Sequence, residues 1–389
     1  MWPHQSLAQA HASTAPIPLG ISWPTWSTKG YDNPKPFIKK LKALGFQQVI
    51  LVPTYTYTGL NRIDFTHAPS WDKQQKLITL LLQENFTVVY KAHLDAPLYQ
   101  PGFDIHQSDN ISWRANCGWR GFFDVDPMSE SYHDALIRPA LTMIGKAYAA
   151  LIKPKEAKPL RFHLGAELMN SVVYHPQRWL SLARNVRKEL RRLKLQTQVR
   201  LSHSFSHHFL IPGDFVDRMN KTEQRTLARY LQSLDAIGIS QYMDLTIHMP
   251  LQEQGSRMPS ADEIAKALHT HESNLVEQLL SEKLRISKHK RPELHIDEFG
   301  IGAGGLKRPS YWEGNLNQDQ YRRISEEIAQ GFAGMVAYLR SKPRYIKSLS
   351  LWSTSRFFDI FGLLQAKHRI PAAAKQVCAY LKASKTSAE

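Results

Sequence analysis

The feature that most restricts what this chain can fold into is an alternation. Short runs rich in β-branched and apolar residues recur eight times, at 17–22, 47–53, 86–93, 160–166, 199–204, 235–242, 293–298 and 346–352. Each is followed by a stretch of helical period, near 34–44, 70–84, 129–152, 176–194, 222–234, 260–285, 317–340 and 371–383. Near-continuous apolar strands alternating with helices imply a parallel sheet covered on both faces, and eight such units close most naturally into a single α/β TIM barrel, (β/α)8. A doubly wound open sheet is the architectural alternative. Local signals agree with the helix positions: Pro34 and Pro176 suit first turns, Ser70 with Lys73 and Ser260 with Glu263 offer N-terminal caps, and Gly45 offers a C-terminal one.

The barrel is expected to occupy 17–383, with tails at 1–16 and 384–389. Of the 389 residues, 42% are hydrophobic against 22% charged, which excludes disorder as the dominant state. No repeat beyond the alternation, no low-complexity tract and no linker divides the chain. Two cysteines, Cys117 and Cys378, supply neither a disulfide framework nor a zinc spacing. No apolar run approaches the roughly 18 residues a membrane span needs. Residues 1–16 lack the apolar middle of an export signal, so a cytoplasmic site is expected if the chain is complete, and a periplasmic or secreted one if a signal has been removed.

Lysine and arginine number 50 against 34 acidic residues, a net charge of +16, which raises nucleic acid, acidic glycans and membrane surfaces as partners. The densest basic run, Arg184, Arg187, Lys188, Arg191, Arg192 and Lys194, shares a helix with Leu180, Leu190 and Leu193 on the other face. That pattern reads as a solvated outer face. With no aromatic–basic interleaving, nucleic acid is not an expected partner.

Catalytic groups of such barrels gather at the C-terminal ends of the strands, where loops form a rim over a rigid base. Connections are long after the third strand (94–128) and the seventh (299–316). The first carries Tyr99, Phe103, Trp113, Trp119, Phe122 and Phe123, rings suited to stacking on sugars or to a small core beneath the loop. Strand ends supply Trp23 and Trp26, Tyr55 and Tyr57, Lys91, His93 and Asp95, Glu167, His203, Gln241 and Tyr242, Asp297 and Glu298, and Trp352. Glu167 and Glu298 close strands four and seven, which face each other across the mouth. Two carboxylates so placed suit hydrolysis of a glycosidic bond, one donating a proton to the leaving oxygen and one attacking the anomeric carbon. A tyrosine hydroxyl from Tyr242 would hold Glu298 ionised, and the Trp352 indole would floor the sugar subsite.

Two other chemistries fit less well. Gly300, Gly302 and Gly305 match G-x-G-x-x-G after a strand, but Lys307-Arg308-Pro309 and Tyr311-Trp312 intervene before any helix, against a dinucleotide loop. Lys307 and Arg308 leave a sugar-phosphate site as a minor reading. His203, His207 and His208 cluster, yet Ser22 and Ser350 stand where the first and last strands of a metallohydrolase would bring ligands. No metal and no cofactor are expected.

These residues resemble the clan A retaining glycoside hydrolases, and most of all glycoside hydrolase family 113. The resemblance runs from about residue 20 to 380 and rests on KAHLD at 91–95, GWRG at 118–121, GAEL at 165–168 before the Trp179 helix, LDAIGISQY at 234–242, IDEFG at 296–300 and the strand with Trp352. It implies a β-mannanase-like enzyme with Glu167 as acid/base and Glu298 as nucleophile. Tyr242 would bond the nucleophile, Trp352 would line the cleavage subsite, and Lys91, His93, Trp119 and Arg120 would bind substrate. Most clan members place Asn before the acid/base to bond the sugar 2-hydroxyl. Here the residue is Ala166, so Asn170 or His203 is expected to supply that contact. The expectation is a retaining hydrolase of a β-linked polysaccharide or oligosaccharide, β-1,4-mannan first. The alternatives are an acidic exopolysaccharide as substrate, or a glycan-binding barrel without turnover.

Overall fold

A computed structural model describes residues 16–24, 32–59, 61–97, 119–210, 215–250, 253, 257–302, 304–309, 318–352 and 372–386. Eight parallel strands close into a barrel, β1 (Leu19–Pro24), β2 (Gln48–Val52), β5 (Thr87–Tyr90), β7 (Leu160–Ala166), β8 (Val199–Ser206), β9 (Ala236–Gln241), β10 (Glu293–Phe299) and β11 (Ile346–Leu351), with β11 returning to β1. The chain is a (β/α)8 TIM barrel. Every strand end falls within three residues of where the apolar runs put it.

Helices α1 (Lys35–Leu44), α2 (Trp71–Gln83), α3 (Arg138–Ala149), α4 (Met169–Tyr174), α5 (Pro176–Arg192), α6 (Lys221–Gln232), α7 (Ala261–Ser273), α8 (Gln318–Arg340) and α9 (Ala372–Thr386) accompany the strands. Their ends follow the sequence signals. Ser70 accepts from Lys73 N at the start of α2, Ser260 and Glu263 form a reciprocal capping box on α7, and Gly45 ends α1 at φ 95°. Asn220 and Glu223 build a second capping box on α6, each such cap being worth about 1 kcal/mol. Two predicted helices are not α throughout: Glu130–Ile137 and Asn274–Lys283 wind as π-helix. In the first, the wider turn buries Tyr132, Leu136 and Ile137 together, and Tyr132 donates to the Leu164 carbonyl at 2.6 Å. At the C-terminal end, α9 runs past the expected boundary at 383 to Thr386, with Ser384 buried on the Tyr380 carbonyl.

A small second sheet sits beyond the second and third barrel strands. Strand β3 (Thr54–Gly59) pairs antiparallel with β4 (Arg62–Asp64) and parallel with β6 (His93–Asp95). The third predicted strand, 86–93, is therefore two pieces, and His93 belongs to the second. The alternating Thr and Tyr of 54–58 carried this signal, since period-two β-branched and aromatic residues ahead of an Asn at φ 57° mark a hairpin.

The large apolar core lies between the barrel and its helices; a smaller cluster of Ile50, Val52, Val89, Tyr242 and Trp352 is separate from it. Elsewhere the interior is polar. On β8 the side chains of Ser202, Ser204 and Ser206 alternate with Leu201, His203 and Phe205, and Ser202 and Ser204 lie in register with Ala236 and Gly238 of β9. These small residues leave room for Arg161, His163, His295 and Asp297 from the strands on either side, all buried.

Candidate active site

Glu298 lies within β10, one residue past a register shift against β9. It is buried, and each of its carboxylate oxygens has a partner. Lys91 Nζ stands 2.5 Å from Oε1, and the Tyr242 hydroxyl donates to Oε2 at 2.8 Å. His93 Nε2 is 3.4 Å from Oε1, and Lys91 also donates to Ser240 Oγ at 3.3 Å. Burial alone would raise the Glu298 carboxyl, but the Lys91 charge and His93 outweigh it and hold the group well below the usual carboxylate range. Burial, reinforced by Glu298, pushes the Tyr242 hydroxyl well above its ordinary value, so it remains a donor at neutral pH. Burial, and then the Arg120 charge, push His93 down, which leaves a neutral ring stacked on Trp352 at 5.7 Å and 15°.

Glu167 follows β7 directly and adopts φ 56°, a left-handed backbone that a non-glycine residue enters at a cost of about 1–2 kcal/mol. Its N–H donates to the Ser204 carbonyl at 2.7 Å, and a register shift between His163 and Ala166 precedes it. Strain of this kind persists where the surroundings over-determine it and clusters at functional sites. Arg120 Nη1 reaches Glu167 Oε2 at 2.8 Å, while Nη2 and Nε bind Asp95. Burial opposes the Arg120 charge, but Asp95 and Glu167 more than offset it. The two glutamates are linked through β6: His93 lies beside Glu298, and Asp95 of the same strand shares Arg120 with Glu167.

The residues expected from sequence divide into two groups. Lys91, His93, Arg120, Glu167, Tyr242, Glu298 and Trp352 come together as described. Trp119 stands at the rim of this group, its ring 5.1 Å from His208 and 5.2 Å from Phe122. Trp23 and His203 require correction. Trp23 is fully buried and packs on Phe37 of α1 at 5.9 Å, on the helix side of the barrel. His203 is fully buried, its Nδ1 2.8 Å from the Tyr230 hydroxyl and its ring against Trp179 at 4.8 Å, again among helices. Both follow from period two: Trp23 is one residue on from Ser22, and His203 lies between Ser202 and Ser204, so each faces away from the axis. Asn170 donates from Nδ2 to the Phe122 carbonyl at 3.1 Å, tying α4 to the loop. Of the two residues expected to meet a sugar 2-hydroxyl, His203 is thus turned away from the axis.

Other expectations resolve more simply. Phe123 is buried and stacks on Tyr57 at 5.0 Å, the small core beneath the loop. Tyr99, Phe103, Trp113 and Trp26 lie outside the described residues. Gly305 sits at φ 63° in a turn from which Leu306 N donates to Glu327 Oε2 of α8 at 2.9 Å, and Lys307 and Arg308 are exposed. The glycine spacing thus serves a turn. Sequence reading passed over Arg161 and His163, whose signal was present as two polar residues alternating with Leu160, Phe162 and Leu164. Among the described residues no group of three or more His, Cys, Asp or Glu is arranged to hold a metal, and no helix is long and apolar enough to cross a membrane.

No family model and no curated protein matches the sequence. Solved structures do match the fold. A GH113 β-1,4-mannanase complex is similar with a TM-score of 0.55 at 14% identity, over 95% of this chain and 99% of that one. The GH113 β-mannanase of Alicyclobacillus acidocaldarius in complex with ManMIm gives 0.51 at 15% identity, over 95% and 98%. A GH5_18 protein of Bifidobacterium longum subsp. longum in complex with Manb1-4GlcNAc gives 0.53 at 12% identity, over 95% and 79%. At these identities the shared property is the fold, the (β/α)8 barrel.

Proposed function

We propose that the chain is a retaining glycoside hydrolase acting on a β-linked glycan, with β-1,4-mannan the first substrate to test. The observation that carries the reading is the chain of contacts that leads from Glu298 through His93 and Asp95 of β6 and Arg120 to Glu167. Lys91 and His93 hold Glu298 ionised while the Tyr242 hydroxyl donates to it, and Glu167 stands at the end of the fourth barrel strand in contact with Arg120. In this reading Glu298 attacks the anomeric carbon while Glu167 gives its proton to the departing oxygen, forming a glycosyl ester. Glu167 then takes a proton from water, whose oxygen displaces Glu298 from the same carbon and restores the original configuration. Trp352 offers an apolar face beside His93 on which a sugar ring can stack.

The charge of the pocket favours a neutral sugar over an acidic one. Among the described residues Lys91 and Arg120 face Asp95, Glu167 and Glu298, so the cations are already spent. The +16 resides elsewhere, much of it on the exposed side of α5. The similarity of fold to mannanases supports mannan as the first glycan to try.

A second reading, a glycan-binding barrel without turnover, draws on one observation. Arg120 is already in contact with Glu167, and a general acid must have a proton to give. Catalysis requires that contact to open when the sugar arrives; a binding protein would keep it.

The deciding experiment incubates the protein with mannan, glucan, xylan and bacterial exopolysaccharides and follows the first anomer by NMR. Release of product in the β configuration, its loss in Glu298→Ala and recovery with azide as an α-glycosyl azide support the hydrolase. Full activity in Glu298→Ala would end the assignment, and glycan binding without cleavage would favour the second reading.

A further inference from the structure

Beneath Glu298 the barrel interior carries another charged cluster. Asp297 is fully buried, accepts from Arg161 Nη2 at 2.7 Å and lies 2.8 Å from His163 Nε2. Arg161 and His163 are themselves buried. Opposite them β9 has Gly238, where a Cβ would stand 1.6 Å from Asp297 Oδ2, so the glycine makes the space this carboxylate occupies. Burial would raise Asp297, but Arg161 and then His163 outweigh it and keep the carboxylate ionised. Burial pushes His163 down to about 4, which leaves it neutral.

The register shows what such a cluster can do. Ile296 lies opposite Ile239 and Glu298 opposite Ser240, so β10 has one residue more than β9 over this step. In a regular strand neighbours face opposite ways, and an inward Asp297 would send Glu298 out among the helices. The extra residue allows both side chains to face the interior. A bulge of this kind leaves a residue without its ladder partner, and something else must hold it. The Asp297 side chain is anchored by Arg161 from across the barrel.

We propose that Arg161 and Asp297, with His163 as a neutral third member, are positioning residues that hold the β10 bulge and thereby aim Glu298 into the pocket. The kinetic side of this inference rests on the hydrolase reading; the structural side does not. The test uses the full chain with Asp297→Asn, Arg161→Met and Arg161→Lys, and reads a crystal structure, a melting curve and steady-state kinetics for each. In Asp297→Asn and Arg161→Met, the Glu298 carboxylate is expected to lose its contacts with Lys91 and Tyr242. Its kcat should fall about 100-fold, with KM changed less than about twofold. Arg161→Lys should keep the contacts and most of kcat. If Asp297→Asn does not fold, the comparison of Arg161→Met with Arg161→Lys decides the matter. Glu298 retaining both contacts in the disrupted variants overturns the proposal, as does an effect confined to the melting curve. A wild-type chain that cleaves no glycan would defeat the hydrolase reading alone, because the direction of Glu298 in the variants still tests the positioning.

Discussion

Arg120 Nη1 lies 2.8 Å from Glu167 Oε2, and the same guanidinium binds Asp95 through its other two nitrogens. One cation thus spans two carboxylates that reach the site from different strands, and it ties the loop after β6 to the end of β7. The three side chains are between 6% and 18% exposed, so the pair is screened far less than a surface one.

Replacing Arg120 with Met should therefore cost about 3 kcal/mol of stability by leaving two partly buried carboxylates without their cation. Urea unfolding of wild type and variant measures it. A loss under about 0.5 kcal/mol would mean that solvent already screens the pair.

Tyr242→Phe removes one of the two close partners of Glu298 without changing the shape of the pocket. A hydrogen bond to a charged group is worth about 1.5–3 kcal/mol, so kcat on the best substrate should fall roughly 10- to 100-fold. Because burial holds the Tyr242 hydroxyl well above its ordinary value, no alkaline limb below about pH 10 should arise from it. Kinetics from pH 5 to 9 on both forms test the two statements together.

Trp352→Ala should raise KM about tenfold, equivalent to about 1.4 kcal/mol, with a smaller change in kcat. Its ring lies within 15° of parallel to His93, which stands 3.4 Å from Glu298. An unchanged KM on oligosaccharides would remove the indole from the subsite.

Stability should fall as the medium is acidified from neutral pH. Burial holds His163 and His295 near 4 and His207 near 3, and it pushes His203 well below the ordinary 6.5. The unfolded chain takes up protons on these rings below about pH 6.5 while the folded chain does not. Stability present above that value is therefore lost as pH falls toward the folded-state values, at up to about 1.4 kcal/mol per pH unit for each ring. Asp297 and Glu298, both depressed, act with the same sign below about pH 4.5. Melting temperatures at pH 7, 6, 5 and 4.5 and constant ionic strength check it; a flat profile would contradict it.

Much of this molecule could be read before its structure. The strand and helix periods placed all eight barrel strands, the caps at Ser70, Ser260 and Gly45 served as expected, and the strand-end rule selected most of the residues that meet around Glu298. The errors share one origin. Trp23 is next to last in β1 and His203 lies in the C-terminal half of β8, close to where catalytic groups are sought, yet both face the helices.

In a barrel of parallel strands both faces are buried, so apolar alternation separates two sets of side chains without naming the set that faces the axis. Composition and period alone determined the eight strand–helix units and the strand ends at which Glu167 and Glu298 stand. Only the tertiary structure decided which way each side chain turns. Cross-strand register, the irregularities before Glu167 and Glu298, and the pairing of Arg161 with Asp297 depend on contacts between residues far apart in the chain, 136 positions in the last case. Local sequence carries the preference of each segment, and the bulges that redirect these side chains are set by what the opposite strands leave room for.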